Sequence, residues 1–335
     1  MATIKEIAEK AGVSRGTVDR VIHKRGRVDK DVEERVNRII ESLSYRPNKA
    51  GQTLAASKKS RKVGVVMPSL SNPFFLDIKK GMIDASIKTG LTLSFLHYIG
   101  YGEKETQRAI NEALENGVDA LLLTVPDIPS IVKHIEESKC PFCSVNSDLT
   151  SKECLFYSGL DYRKMGMINA GLLAVASSSV KPNILFLHGS EAMKGHKEIL
   201  SGFIEALDER GVEYKLAREV ETNDDDETTE VLTRKALMEE SDINTVFIAT
   251  SGVKGAMKAI GERRFLVFSS DETEDVCSFV KSGKIQWTVS QEPFLQGYNA
   301  VMKISDYLIT HEKPSSFIAR NIVKIKENIG EEICL

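Results

Sequence analysis

Arg15 and Arg20 lie about one helical turn apart in the segment Ser14-Arg-Gly-Thr-Val-Asp-Arg-Val-Ile-His23. Val18, Val21 and Ile22 recur there at helical spacing and form an inward face. The outward positions are then Arg15, Gly16, Thr17, Asp19, Arg20 and His23. A guanidinium carries a planar fork of donors that matches guanine O6 and N7, so arginines at the start of a helix lying in the major groove read base edges. The same pattern also suits a solvated charged face on an ordinary surface helix. Taken alone, the segment leaves both readings open.

The neighbouring elements narrow the choice. Thr3 and Glu6 have the spacing of a capping box, Ile7, Ala8 and Ala11 line one face behind it, and Gly12 is placed to end that helix. Ser14 can cap the second helix. Asp29 can cap a third, in which Val32, Val36, Ile39, Ile40 and Leu43 repeat at helical spacing. Three short amphipathic helices, two joined by a tight glycine-containing turn, form a helix-turn-helix layout. Charge agrees: residues 1–62 hold 16 basic and 8 acidic residues, net +8, and the rest holds 29 and 40, net −11. A basic head on an acidic body lets only the head approach a polyanion.

From Lys62 onward strands and helices alternate. Val63–Met67 is a wholly apolar run of the kind buried in a parallel sheet. Further strands are expected at 93–98, 120–125 and 141–145, then, after a second start near Tyr162, at 184–188, 214–220, 245–249 and 265–269, with helices between them, followed by a strand at 287–290 and a last helix from Pro293 to about Thr310. Two doubly wound halves of similar size are the plan of a two-lobed binding protein, with a ligand cleft beyond the C-terminal ends of its strands.

Other classes are excluded or reduced. No apolar run approaches the roughly 18 residues of a membrane span, and the N-terminus runs straight into a capped helix rather than a secretory leader, so the expected location is the cytoplasm. Five cysteines (Cys140, Cys143, Cys154, Cys277, Cys334) are expected to be reduced there. Cys140-Pro-Phe-Cys143 has redox or metal-ligand spacing but lacks a second pair or a histidine cluster, and reads as core thiols. Neither a Gly-x-Ser-x-Gly elbow, a phosphate-binding loop nor a metal-spaced histidine pair is present, so the chain reads as no enzyme and needs no cofactor.

Residues 3–56 resemble the head and hinge of the lac repressor (LacI/GalR) family of bacterial transcription regulators, through T-I-K-E-I-A-E-K-A-G-V-S, T-V-x-R-V, E-R-V-x-x-I-I, L-x-Y-R-P-N and the small-residue run to L-A. The resemblance implies a helix-turn-helix domain at residues 1–46, a hinge and linker at 47–62, and a ligand-binding sensor at 63–335. That sensor is an α/β fold similar to the periplasmic sugar-binding proteins (type I), with one lobe at about 63–160 and 292–320 and the other at about 161–291 and 321–335. It implies DNA contacts by Thr3, Ser14, Arg15, Gly16, Thr17, Arg20 and His23 in the head. Arg15 and Gly16 fall at the family's two specificity positions and Arg20 at its base-contacting arginine. Gly16 departs from the pattern, having no side chain with which to read a base and costing roughly 1 kcal/mol of helix stability relative to Ala.

The resemblance further implies minor-groove contacts by Asn48, Ala50, Gly51 and Leu54 in a hinge helix, with Leu54 wedged between base pairs. A segment of two turns weakened by Gly51 is expected to need DNA and a partner copy to become helical, since helices below roughly 12 residues are marginal alone. A homodimer on a palindromic operator follows from twofold symmetry.

In the sensor the resemblance points to Asn72, Phe74, Phe75, Ser147, His196, Asp271 and Gln291 as ligand contacts. Asn72 can pair with adjacent hydroxyls, Phe74 or Phe75 offers a flat face to a sugar ring, and Asp271 can accept from two hydroxyls. An Asn-Pro turn, core phenylalanines and a helix-capping aspartate are the competing roles, and Asp161 is expected to cap its helix. The sequence departs from sugar-binding relatives where it has Ile199 and Ser147 in place of arginines, and Thr250-Ser251 in place of a polar Asn or Asp. The expected function is a repressor modulated by a sugar, polyol or related metabolite. The alternative is a ligand-independent repressor or architectural DNA-binding protein with an eroded pocket.

Overall fold

In the computed structural model, residues 3–22, 26, 28–43, 61–69, 72–177 and 180–330 are described. Contacts divide the chain into two units, an N-terminal one and a larger one spanning most of the remainder.

The N-terminal unit holds α1 (Ile4–Ala11), α2 (Arg15–Ile22) and α3 (Lys30–Ser42). The Thr3 hydroxyl accepts from the Glu6 N–H at 3.2 Å while the Glu6 carboxylate accepts from the Thr3 N–H at 2.8 Å, a reciprocal cap that satisfies two otherwise orphaned donors. Gly12 ends α1 in the left-handed region at φ 64°, where a side chain would be strained. The Ser14 Oγ accepts from the Thr17 N–H at 3.1 Å, and the Asp29 carboxylate caps α3 through the Asp31 N–H at 3.0 Å. Ile7, Ala8, Ala11, Val18, Val21 and Val36 form the core, flanked by half-buried Ile22, Val32, Ile39, Ile40 and Leu43.

The larger unit begins with β1 (Lys62–Pro68), α4 (Pro73–Thr89), β2 (Thr92–Tyr98), α5 (Glu103–Glu115), β3 (Ala120–Leu123), α6 (Pro129–Glu137), β4 (Phe142–Asn146) and β5 (Tyr157–Leu160). It continues with α7 (Tyr162–Ala176), β6 (Asn183–His188), α8 (Lys194–Glu209), β7 (Lys215–Glu221), α9 (Asp226–Glu239), β8 (Thr245–Ala249), α10 (Val253–Ile260), β9 (Leu266–Ser270), α11 (Glu274–Lys281) and β10 (Trp287–Ser290). Last come α12 (Pro293–Thr310), β11 (Phe317–Ala319) and β12 (Ile322–Lys324).

Two six-stranded sheets result, ordered β11-β5-β4-β3-β1-β2 and β12-β10-β9-β8-β6-β7. Pairing is parallel except for β12, which runs antiparallel to β10. The chain passes between the sheets three times, between β5 and α7, between β10 and α12, and between β11 and β12. Each lobe is therefore built from discontinuous sequence.

Helices cover both faces of each sheet, which explains the unbroken apolar runs of β1, β3, β6 and β8. In one lobe α7 and α8 approach so closely that a Cβ on Gly202 would collide with the Arg163 carbonyl. Cys143 is fully buried, as the reading of core thiols expects, whereas Cys140 is half-buried, and burial raises the pKa of both thiols. The sequence reading missed β5, α11, β11 and β12. Among the described residues, no helix is long and apolar enough to cross a membrane.

Candidate functional site

On the N-terminal unit, burial of Val18 and Val21 turns Arg15, Gly16 and Arg20 to solvent, with Thr17 half-buried. The Arg20 Nε donates to the Gly16 carbonyl at 3.2 Å, so the guanidinium lies back along the exposed face of α2. The Ser14 and Thr17 hydroxyls are 3.0 Å apart at the N-terminus of that helix. Thr3 and Ser14 both serve as caps while remaining exposed. A Cβ added at Gly16 would meet only the Ser14 Oγ at 3.7 Å. His23, Asn48, Ala50, Gly51 and Leu54, and with them the expected hinge helix, lie outside the described residues.

In the larger unit a cavity lies between the lobes at the C-terminal ends of the strands, where open α/β sheets bind ligands. All seven sensor residues singled out from the sequence line it: Asn72, Phe74, Phe75, Ser147, His196, Asp271 and Gln291. Several have two roles. The Asn72 Oδ1 caps α4 by accepting from the Phe74 N–H at 3.0 Å. Phe74 and Phe75 pack edge to face, ring centres 5.6 Å apart, and belong to the core while walling the cavity. His196 Nδ1 sits 2.9 Å from both the amide nitrogen and the carbonyl oxygen of Ser190. Asp161 does cap α7, accepting from the Lys164 N–H at 2.9 Å.

The sequence reading missed Tyr101, Asn146, Tyr162 and Asp224, which complete the polar lining together with Thr250, Ser251 and Ser270. Each lies at or just beyond the C-terminal end of a strand. That topological rule was the one signal that could have found them. Asn146 donates to the Tyr162 hydroxyl at 2.6 Å and to Gln296 Oε1 at 3.2 Å, and Gln296 donates to the Gln291 carbonyl at 2.8 Å. The Asp224 Oδ1 accepts from the Thr250 hydroxyl and the Ser251 N–H, each at 2.9 Å, and its Oδ2 accepts from the Tyr101 hydroxyl of the opposite lobe. A Cβ on Gly189 would collide with His196 Cε1 and Asp224 Oδ2, so glycine there lets these two side chains close the floor.

Asp271 accepts from the Gln291 side-chain amide. Burial, with the Asp224 carboxylate adding to it, raises its pKa to about 7, while the Gln291 bond opposes the rise. Two buried side-chain atoms in the lining lack any hydrogen-bond partner, Ser147 Oγ and Gln291 Oε1. Among the described lining residues there is neither lysine nor arginine. Lys194, flanked by the lining residues Met193 and Gly195, instead pairs with Asp148 of the other lobe at 3.1 Å. Ile199 is buried against the cavity, an apolar wall where the family resemblance leads one to expect a guanidinium.

The lobes are drawn together by the Tyr101–Asp224 and Lys194–Asp148 contacts and by the Asp127 N–H, which donates to the Ala192 carbonyl at 3.0 Å. The cavity volume is about 60 Å3, whereas an apolar cavity of about 150 Å3 accommodates one benzene ring, so a ring-sized ligand calls for more room than this arrangement of the lobes gives. Elsewhere, His188, Glu191 and Glu219 bring one ligand atom each within 4.8 Å of one another, but both glutamates are exposed, as such groups often are without an ion.

Residues 3–48 match the bacterial regulatory proteins of the lacI family, and residues 63–313 match the periplasmic binding protein domain. The chain is 32% identical to the ribose operon repressor of Halalkalibacterium halodurans over 146 residues, which is 44% of this chain and 43% of that protein. It is 27% identical to catabolite control protein A of Staphylococcus aureus over 213 residues, 63% of each. The chain thus spans less than two thirds of the length of these curated relatives.

Among solved structures, a solute binding protein from Burkholderia graminis in complex with D-arabinose superposes with a TM-score of 0.74 at 20% identity, over 82% of this chain and 98% of that one. Another, from Actinobacillus succinogenes with bound D-allose, gives 0.70 at 22%, over 80% and 98%. Identities at this level speak for the fold alone. With a helix-turn-helix head and a two-sheet periplasmic-binding-protein body matched in tandem, the chain belongs to the lacI family of bacterial regulatory proteins.

Proposed function

We propose that this protein is a cytoplasmic, sequence-specific DNA-binding repressor that grips a palindromic operator as a homodimer and is switched by a small hydroxylated metabolite. One observation carries the proposal: a capped second helix with Arg15 and Arg20 exposed is joined, in the same chain, to a two-lobed body with a polar cavity between its sheets. Arg15 and Arg20 supply the direct readout, and Thr3, Ser14 and Thr17 supply contacts near the backbone from the helix N-termini. Asn48, Ala50, Gly51 and Leu54 extend the contact to the minor groove on the sequence argument alone. The name of the ribose operon repressor supports a sugar-like effector here.

Switching is linkage. A ligand that prefers one separation of the lobes shifts the protein toward it, and operator affinity changes by the same coupling factor. The Ser147 Oγ and Gln291 Oε1, buried without partners, favour an occupied cavity over the alternative of a ligand-independent repressor, because an unpaired buried acceptor is costly.

Thermal unfolding of the full chain against a panel of sugars, polyols and amino derivatives checks this. Binding to the native state raises the midpoint, by about 2.7 kcal/mol of added stability at a hundredfold excess over the dissociation constant. A panel and a metabolite extract that both leave the midpoint and operator affinity unmoved would favour the ligand-independent alternative.

A further inference from the structure

The described lining of the cavity carries acidic side chains and no basic one. Asp224 and Asp271 both reach it, from the loop after β7 and the end of β9, and neither lysine nor arginine is among the described residues that line it. Lys194, between the lining residues Met193 and Gly195, pairs with Asp148 and Glu198, at 3.1 and 3.8 Å. Burial, with the Asp224 charge adding to it, raises the Asp271 pKa to about 7. A phosphate or carboxylate ligand would add a third negative charge with nothing to meet it.

Two further features point the same way. Gln291 turns its amide N–H toward Asp271, which leaves its Oε1 buried, unpartnered and in the lining, a lone acceptor that calls for a donor from the ligand. Phe74 and Phe75 line the same wall, and aromatic rings attract cations over their faces.

We propose that the cleft selects a small hydroxylated ligand bearing a protonated amine, seated between Asp224 and Asp271, and that it rejects phosphorylated sugars. The inference rests on the reading of this cavity as the effector site. The ammonium donates to the Asp271 carboxylate and to Gln291 Oε1. Asp224, held by the Thr250 hydroxyl and the Ser251 N–H, exchanges its Tyr101 partner for the ligand as the lobes part. The hydroxyls of the ligand meet Asn72, Asn146 and Ser147.

Calorimetric titration of the full chain with matched sets tests this. One set is glucosamine, glucose, N-acetylglucosamine and glucose 6-phosphate, and another is 1-amino-1-deoxysorbitol, sorbitol and sorbitol 6-phosphate. The amine is expected to bind at least about tenfold more tightly than its neutral counterpart in one set or more, the N-acetyl form to lose that advantage, and the phosphates not to bind. Asp224→Asn and Asp271→Asn should each shrink the amine preference, a ratio measured within one folded protein. A neutral or phosphorylated member binding as tightly as its amine overturns the inference while leaving a ligand-switched repressor intact. Failure of every amine to bind also overturns it. The regulatory reading then stands or falls separately on whether a metabolite extract changes operator affinity.

Discussion

Arg20 carries the most specific claim on the head. It is exposed on α2 and its Nε donates to the Gly16 carbonyl. If Arg20 reads a base edge as proposed, Arg20→Ala should cost about 1–3 kcal/mol at that base pair and relax specificity there. Competition binding against single-base operator variants measures both, and unchanged affinity with unrelaxed specificity would remove Arg20 from the readout. Asp271 makes the corresponding prediction for the body. Its pKa is raised from 3.8 to about 7 in the folded state, so the stability it contributes is full below 3.8 and is lost as pH rises through about 7. Asp224, Gln291, His196, Tyr101 and Tyr162 share the cavity with it. Denaturant unfolding of the ligand-free protein should show stability falling from pH 5 to 8, and Asp271→Asn should flatten that slope.

Helices and strands set these side chains in place, and their packing has its own test. Gly202 lets α8 lie against the Arg163 carbonyl of α7. Gly202→Ala should therefore destabilise the body by about 1–3 kcal/mol through overpacking, read from the shift in the denaturation midpoint. An unshifted midpoint would show that the helices separate freely. Most elements were legible because they carry long patterns: β1, β3, β6 and β8 are unbroken apolar runs, and α3 repeats over thirteen residues. Those missed carry little signal. β5 is Tyr157-Ser-Gly-Leu160, α11 buries only Val276 and Val280, and β11 and β12 have three residues each and owe their pairing to tertiary context. The site divides the same way. Asn72, Phe74, Phe75, Asp271 and Gln291 sit in recognisable strings, whereas Asp224 lies in Asn223-Asp-Asp-Asp226, which reads as a solvated acidic turn until β7 aims it inward.

The whole molecule joins a basic head to an acidic body, and in the function proposed above the body biases the head. Coupling factors between two such sites commonly run from about 5- to 150-fold. The direct measurement is equilibrium binding of the full chain to fragmented genomic DNA with excess random competitor, at about 0.15 M salt, where non-specific contacts are weak. It is made with and without a small-molecule extract of the source cells. A palindromic sequence should be enriched, and its affinity should change by a factor in that range when extract is added. Equal retention of all fragments under both conditions would contradict the proposal that this chain reads DNA sequence under the control of a ligand.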